Sequence, residues 1–172
     1  DYVEKAFPAK SPTTVRGERS FLPRFLARFG KLRLVQIRRH DVEAYQARRR
    51  TEVSAATVNR EMNLLRAMLS KAAEWGFLLE SPAKGVKRLR ETNRPFRYLT
   101  RDEAGALVGS CSPHVRSIVL TALHSGMRRG EILALRWQDV DFERGVLTVA
   151  NSKSGRMRHI PMNRTLYATL QD

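Results

Sequence analysis

Two adjacent arginines and a glutamate lie close together in the stretch LHSGMRRGEILALRWQDVDF, residues 123–142. Arg128 and Arg129 follow Gly126 and stand at the predicted start of a helix, where the helix dipole disfavours positive charge. A bound anion would offset that cost. Glu131 lies one turn after Arg128, so its carboxylate can hold the guanidinium while the remaining N–H donors face outward. Arginine is suited to gripping two oxygens of a phosphate in one plane.

A second candidate is Lys153, in the polar sequence ANSKSGRMRH. Small residues flank it at a predicted hairpin tip, where a lysine could reach a phosphate or donate a proton. Both features have ordinary alternatives, because an Arg–Glu pair on a helix is usually a surface ion pair and a hairpin lysine usually serves solubility. We interpret His124 and Tyr167 as packing residues and His159 as solvent-facing.

The elements that must position these residues follow from the sequence pattern. Thr100 and Glu103 form a capping-box pattern at the start of one helix. HVRSIVLTALHSG predicts a second helix that ends at Gly126, and RRGEILALRW predicts a third, with Trp137 as an apolar plug after it. The period then changes from helical to alternating: DVDF, GVLTVA and RHIPM predict short antiparallel strands, and NRTLYATLQD predicts a further helix.

The first half of the chain is predicted to be helical throughout. TTVRGERSFLPRFLARFG has helical spacing that Pro23 should interrupt. RHDVEAYQARRRTE follows, with Asp41 as its expected N-cap. SAATVNREMNLLRAMLSKAAEWGF carries a clear amphipathic stripe, with Ser54 expected to cap its start and Gly76 to end it.

Residues 84–98 change in character, with Gly, Pro and six basic residues but little apolar periodicity, which is typical of an interdomain linker. We therefore predict a helical domain at 1–90, a basic linker at 91–99 and an α+β domain at 100–172. The predicted fold class is mainly α with a small antiparallel sheet. The second domain has little material for a closed core, and the chain starts without Met, so we expect it to be a piece of a longer protein.

The net charge of the 172 residues is +15. Residues 1–97 hold 22 basic and 10 acidic residues, against 10 and 7 in residues 98–172. Such an excess indicates a polyanionic partner, most simply nucleic acid, with a ribosomal or membrane-surface protein as the alternatives. One cysteine and four scattered histidines suggest no disulfide and no metal site, and a cytoplasmic location without a membrane span is expected.

From Leu123 onward the sequence resembles the tyrosine recombinases, the family of phage integrases and Xer-type site-specific recombinases. The pattern is Gly-Met-Arg-x-x-Glu-Ile-x-x-Leu-x-Trp-x-Asp-Val-Asp, then a hairpin with a lysine and a strand that ends in proline. SAATVNREMNLLRAMLSKAAEWG is similar to the last long helix of the family's core-binding (SAM-like) domain. The resemblance implies a core-binding domain followed by the first half of a catalytic domain.

The resemblance also implies roles for three residues. Arg128 matches the first catalytic arginine, which binds the scissile phosphate, and Glu131 matches the acidic residue that supports it. Lys153 matches the hairpin lysine that protonates the leaving 5′ oxygen. In this family a tyrosine attacks the phosphate and forms a 3′-phosphotyrosine bond without metal, ATP or another cofactor, and four protomers exchange strands between two DNA sites.

The sequence departs from the family pattern after the hairpin. No His-x-x-Arg occurs in it, and none of its four tyrosines has the context of the nucleophile. We therefore expect the nucleophilic tyrosine to be absent and this chain alone to be inactive, although the intact protein would be a bacterial or phage-encoded recombinase of the cytoplasm.

The basic N-terminal module is expected to form one jaw of a clamp on double-stranded DNA, mostly through phosphate contacts. Thr57, Asn59 and Arg60 are predicted to reach base edges. The residues predicted to contact the DNA backbone are Arg38, Arg39, Arg49, Lys87, Arg88 and Arg129. Two alternatives remain open: a non-catalytic DNA-binding protein derived from an integrase, and a basic RNA-binding protein. A metal-dependent nuclease is disfavoured because the sequence offers no acidic cluster for Mg²⁺.

Overall fold

The computed structural model describes residues 1–92, 96–150 and 157–172. It divides into two compact units, Asp1–Pro95 and Phe96–Asp172. The described residues are mainly helical with one three-stranded antiparallel sheet, which confirms the predicted fold class. Within the described ranges, no helix is long and apolar enough to cross a membrane.

Five α-helices lie within residues 1–92, the described part of the first unit. They are α1 (Tyr2–Ala6), α2 (Pro12–Arg19), α3 (Leu22–Phe29), α4 (Arg39–Glu52) and α5 (Ala55–Glu74), with a short 3₁₀ turn at Leu34–Gln36. The predicted interruption at Pro23 is confirmed, because Pro23 lies in the first turn of α3, where its missing N–H costs no hydrogen bond. The Ser54 hydroxyl accepts a hydrogen bond from the Thr57 N–H, as predicted for the start of α5.

The prediction that Asp41 is the N-cap of α4 is wrong by one turn. Arg38 occupies the N-cap position, and Asp41 is the third residue of the helix. Its carboxylate accepts the Arg38 N–H at 3.0 Å, so it still satisfies a backbone donor at the helix start.

The core of the first unit forms where α3, α4 and α5 meet. Tyr45 packs against the rings of Phe25 and Phe29, with ring centroids 5.6 Å apart in both pairs. Val58 and Met62, on the amphipathic stripe of α5, are fully buried beside them. Burial of these large side chains fixes the positions of α4 and α5, which carry much of the positive charge of this unit.

The second unit combines helices with the sheet. Its elements are α6 (Arg101–Ser110), α7 (Pro113–Ser125), α8 (Arg129–Leu133), β1 (Val140–Asp141), β2 (Val146–Val149), β3 (Arg158–Pro161) and α9 (Arg164–Gln171). The capping box predicted for α6 is present, since Thr100 and Glu103 exchange side chain to backbone hydrogen bonds. The sheet order is β1-β2-β3, with Val149 paired to Arg158. Leu147 and Leu166 are fully buried and join β2 to α9.

A buried ionic network joins α4 to α5. The Glu61 carboxylate accepts hydrogen bonds from Tyr45 Oη at 2.7 Å and from Arg49 Nε and Nη2 at 2.8 and 2.7 Å. Burial alone would raise the pKa of the Glu61 carboxyl, but the bonds from Arg49 and Tyr45 outweigh it and the pKa lies below its ordinary value. Arg49 also bonds to Glu52, so its charge is used inside the protein.

We expect Glu61→Ala to lower the free energy of unfolding by about 3 to 5 kcal/mol, because it leaves the Arg49 guanidinium buried without its partner. Urea unfolding followed by circular dichroism measures this loss. The triple variant Tyr45→Phe/Arg49→Met/Glu61→Leu removes the whole network and should recover most of the stability. A triple variant as unstable as Glu61→Ala would contradict this account of the network.

Candidate phosphate-binding site and basic surface

The turn before α8 brings Arg128 to its position. Gly126 ends α7 in the left-handed region, at φ +62°, which favours glycine. The next side chain, Met127, is buried in the core of the second unit, so the backbone is anchored directly before Arg128. Arg128 itself is extended and occupies the N-cap position of α8.

Helix α8 is shorter than the sequence predicted. The predicted helix covered RRGEILALRW, but α8 contains five residues and a separate 3₁₀ turn follows at Trp137–Asp139. Trp137 is 70% exposed, so its predicted role as an apolar plug is wrong. The dipole of so short a helix is small, and the position of Arg128 therefore depends on its carboxylate partner rather than on the dipole.

Glu131 holds Arg128 through both the backbone and the side chain. One carboxylate oxygen accepts the Arg128 N–H at 2.7 Å, and the other accepts from the guanidinium at 3.0 Å. The Glu131 side chain is 6% exposed, whereas that of Arg128 is 61% exposed. The carboxylate is thus enclosed while much of the guanidinium still faces solvent, as the spacing of the two residues predicted.

Arg158 is a partner that the sequence reasoning missed. Its Nη1 and Nη2 donate to the two Glu131 oxygens at 3.0 and 2.7 Å, which is a bidentate pair. Arg158 shares the partly buried face of β3 with Ile160, and the intervening His159 is exposed, as predicted. The period-2 pattern of RHIPM was the available signal, because an inward-facing arginine on a strand requires a carboxylate.

The electrostatics of this cluster keep Glu131 ionised. The hydrogen bonds from Arg158, and then that from the Arg128 backbone, lower the pKa of the Glu131 carboxyl to about 2. The same pairing raises the pKa of Arg158. Two guanidinium groups and one carboxylate leave a net positive charge, which suits an anionic ligand at the exposed side of Arg128.

Two other residues of the second unit, Arg129 and Lys153, were predicted to belong to the site. Arg129 is exposed at the first position of α8. Lys153 lies outside the described residues. Among the residues that the structure describes, no group of three His, Cys, Asp or Glu side chains is placed to hold a metal ion.

Several residues predicted to contact DNA do lie on the surface of the first unit. Arg38, Arg60, Lys87 and Arg88 are exposed. Arg39 is also exposed, and it pairs with Glu43 at 2.8 Å. Thr57 is half-buried beside Ser54, with 3.1 Å between the two hydroxyl oxygens.

Two of the residues predicted to contact DNA, Asn59 and Arg49, lie in the interior of the first unit. Asn59 is 1% exposed, and its amide bonds to the backbone of Leu89 and to Glu91, so it has no free edge for a base. Arg49 is enclosed by Glu61 and Glu52. Sequence reasoning placed both outside because polar residues usually face water, but here the surrounding chain supplies their hydrogen-bond partners.

Comparison with known proteins bears on both halves of the chain. A family model described as the phage integrase family matches residues 97–172. A putative integrase/recombinase of Haemophilus influenzae is 27% identical over 184 residues, which cover 98% of this chain and 60% of that protein. Prophage integrase IntR of Escherichia coli K12 is 36% identical over 93 residues, which cover 54% of this chain and 23% of that protein.

A lambda integrase dimer bound to a COC′ core site has the same fold. The TM-score is 0.83 at 21% sequence identity, over 96% of this chain and 63% of that chain. This chain carries a region of the phage integrase family at residues 97–172. It spans 23% to 60% of the length of the two relatives named above. The residues that carry the resemblance, from Gly126 to Pro161, lie within this matched region.

We expect Glu131→Gln to destabilise the second unit in a pH-dependent way. Because the Glu131 pKa is lowered from 4.5 to about 2 by folding, the carboxylate stabilises the fold above about pH 4.5, and this contribution disappears as the pH falls towards 2. The difference in urea midpoint between the wild type and Glu131→Gln should therefore be large at pH 7 and shrink towards pH 2.5.

The matched control is Glu143→Gln, at an exposed carboxylate of the same unit. Its difference from the wild type should stay small at each pH. A Glu131→Gln difference that is equally large at pH 7 and pH 2.5 would contradict the ion-pair account.

Proposed function

We propose that this chain supplies the DNA-binding module and part of the phosphate-binding site of a site-specific recombinase. The intact protein would break and rejoin DNA through a 3′-phosphotyrosine intermediate. The observation that carries the proposal is the exposed guanidinium of Arg128 held by the enclosed carboxylate of Glu131, within the region that matches the phage integrase family.

The chemistry requires a fixed positive charge at the phosphate. During transesterification the reacting phosphorus is surrounded by five oxygens, and negative charge spreads over the non-bridging oxygens. A guanidinium whose orientation is set before the reaction stabilises that charge without reorganising. Arg128 meets this requirement because Glu131, itself held by Arg158, fixes one side of it. Lys153 is proposed to protonate the leaving 5′ oxygen, and no cofactor is involved.

The first unit is proposed to bind the backbone of duplex DNA. Its exposed cations Arg38, Arg39, Arg60, Lys87 and Arg88 support this role, as does the charge excess of residues 1–97. By analogy with the family, the intact protein would assemble as a homotetramer on two recombination sites. Arg129 is proposed as a further phosphate contact beside Arg128.

A non-catalytic DNA-binding protein is the second candidate, and it is what we propose for this chain by itself. His-x-x-Arg is missing from the 172 residues. Tyr45 is bound to Glu61 in the core, and the ring of Tyr167 packs edge-on against Phe142 with centroids 5.3 Å apart. Each of these two tyrosine side chains is therefore engaged in packing within its own unit.

Cleavage is tested on the full-length protein that the source DNA encodes. If the reading frame continues into His-x-x-Arg and a tyrosine, the protein should form a covalent complex on nicked duplex DNA, detected as a band of reduced mobility in a denaturing gel. Arg128→Ala should slow its formation by roughly a hundredfold or more, because one fixed oxyanion-stabilising group is lost.

Arg164→Ala, at an exposed arginine of the same unit, is the matched control and should form the complex at the wild-type rate. A stop codon directly after Asp172, or no covalent complex from the full-length protein, would remove the enzyme proposal and leave DNA binding as the function.

Binding is tested on the 172-residue chain. Its affinity for duplex DNA should fall steeply with salt, with a slope of log K against log salt of about −0.9 for each phosphate contacted. The triple variant Tyr45→Phe/Arg49→Met/Glu61→Leu should bind with nearly wild-type affinity, because Arg49 is enclosed. Tighter binding to structured RNA than to duplex DNA in competition would favour the RNA-binding alternative.

A further inference from the structure

Residues 85–91 pack onto α4 and α5, although their composition suggested a linker. We call them the docked segment. The segment begins at Gly85, where φ is +76° and an added Cβ would lie 3.1 Å from Arg39 Nη1. Val86 is buried in the core of the first unit, and Leu89 packs against the same core. Two apolar anchors therefore hold the segment from beneath.

Side chains of α4 and α5 also hold the backbone of the docked segment at four carbonyls. The hydrogen bonds run from Arg39 to the Gly85 oxygen (3.2 Å), from Arg66 to Val86 (2.8 Å), from Gln46 to Lys87 (2.9 Å) and from Asn59 to Leu89 (2.9 Å). Asn59 alone binds both backbone groups of one residue, because its oxygen also accepts the Leu89 N–H at 3.0 Å. Such a set of bonds gives the segment one conformation.

Three other side chains of the docked segment face outward and are cationic. Lys87, Arg88 and Arg90 are exposed. Glu91 connects one of them to the interior, since its Oε1 accepts from Asn59 Nδ2 at 2.7 Å and from Arg88 Nη2 at 3.4 Å. Burial lowers the pKa of Arg66, and the charge of Arg88 lowers it further, so positive charge is concentrated along this edge.

We infer that the docked segment presents Lys87, Arg88 and Arg90 as a pre-arranged set for the phosphates of duplex DNA, and that Asn59 is the positioning residue of that set. The inference rests on the proposed DNA binding. A chain that is already ordered loses less conformational freedom when it binds than a loose basic linker does. Evenly spaced phosphates favour cations that are held in fixed positions.

The experiment measures duplex DNA affinity and salt slope for the wild-type chain, Asn59→Ala, Arg88→Ala and the double variant. The slope of log K against log salt is about −0.9 for each phosphate contacted. One contact therefore strengthens binding by roughly eightfold when the salt concentration falls from 1 M to 0.1 M. Arg88→Ala should weaken the wild type by roughly that factor. Asn59→Ala should weaken binding by roughly five- to tenfold, and adding Arg88→Ala to it should cost about twofold or less.

Hydrogen exchange supplies a readout that is independent of DNA. The Leu89 N–H should be protected in the wild type and should lose its protection in Asn59→Ala. Asn63→Ala, at an exposed asparagine of the same helix, is the matched control and should change neither affinity nor exchange. If Asn59→Ala does not fold, Gln46→Ala removes the bond to Lys87 from the other helix and takes its place.

The outcomes separate the two proposals. Failure of the wild-type chain to bind duplex DNA would overturn both the proposed DNA binding and this inference. The wild-type chain could instead bind duplex DNA while Arg88→Ala weakens that binding by the same factor in the wild type and in Asn59→Ala. That result would overturn this inference and leave the proposed DNA binding in place. A reduced cost in the Asn59→Ala background, together with loss of Leu89 protection, would support it.

Discussion

The carboxylate of Glu131 is the constraint on which the candidate site depends. It accepts four hydrogen bonds, from the backbone and side chain of Arg128 and from both terminal nitrogens of Arg158. These bonds tie the start of α8 to β3, so one enclosed acidic group fixes elements that are distant in the sequence. An arginine held in this way has a fixed orientation and keeps outward N–H groups.

The first unit uses the same principle for a different purpose. Glu61 pairs with Arg49 in the interior and joins α4 to α5. Glu91 links Asn59 to Arg88 at the surface. The net charge of the chain is +15, with 32 basic and 17 acidic residues. Basic side chains that pair with buried carboxylates are structural, and the exposed ones remain accessible to a polyanion. Arg49 and Arg88 are the same type of residue, but the Arg49 side chain is enclosed by Glu52 and Glu61, whereas Arg88 is exposed.

Much of the fold and part of the site could be predicted from local patterns. The helix starts at Ser54 and Thr100 and the helix end at Gly126 follow from short-range hydrogen bonding and backbone sterics, which depend on neighbouring residues. The pairing of Arg128 with Glu131 is also local, because the residues are three apart. The prediction failed for the length of α8, where RRGEILALRW has helical periodicity but the chain turns after Leu133. It also failed for Asp41, because the helix began earlier than its capping preference suggested.

The sequence by itself therefore determined the fold class, the order of helices and strands after α1, the strong positive charge and the Arg128–Glu131 pair, since each depends on composition or on residues within one turn. Only the tertiary structure decided that Arg158 completes the cluster, that Asn59 and Arg49 are interior, and that residues 85–91 pack on the helices. Those facts depend on contacts between residues 12 to 46 positions apart. Single-sequence patterns carry no information about which distant donor will meet which acceptor, because that pairing is set by how the apolar faces pack.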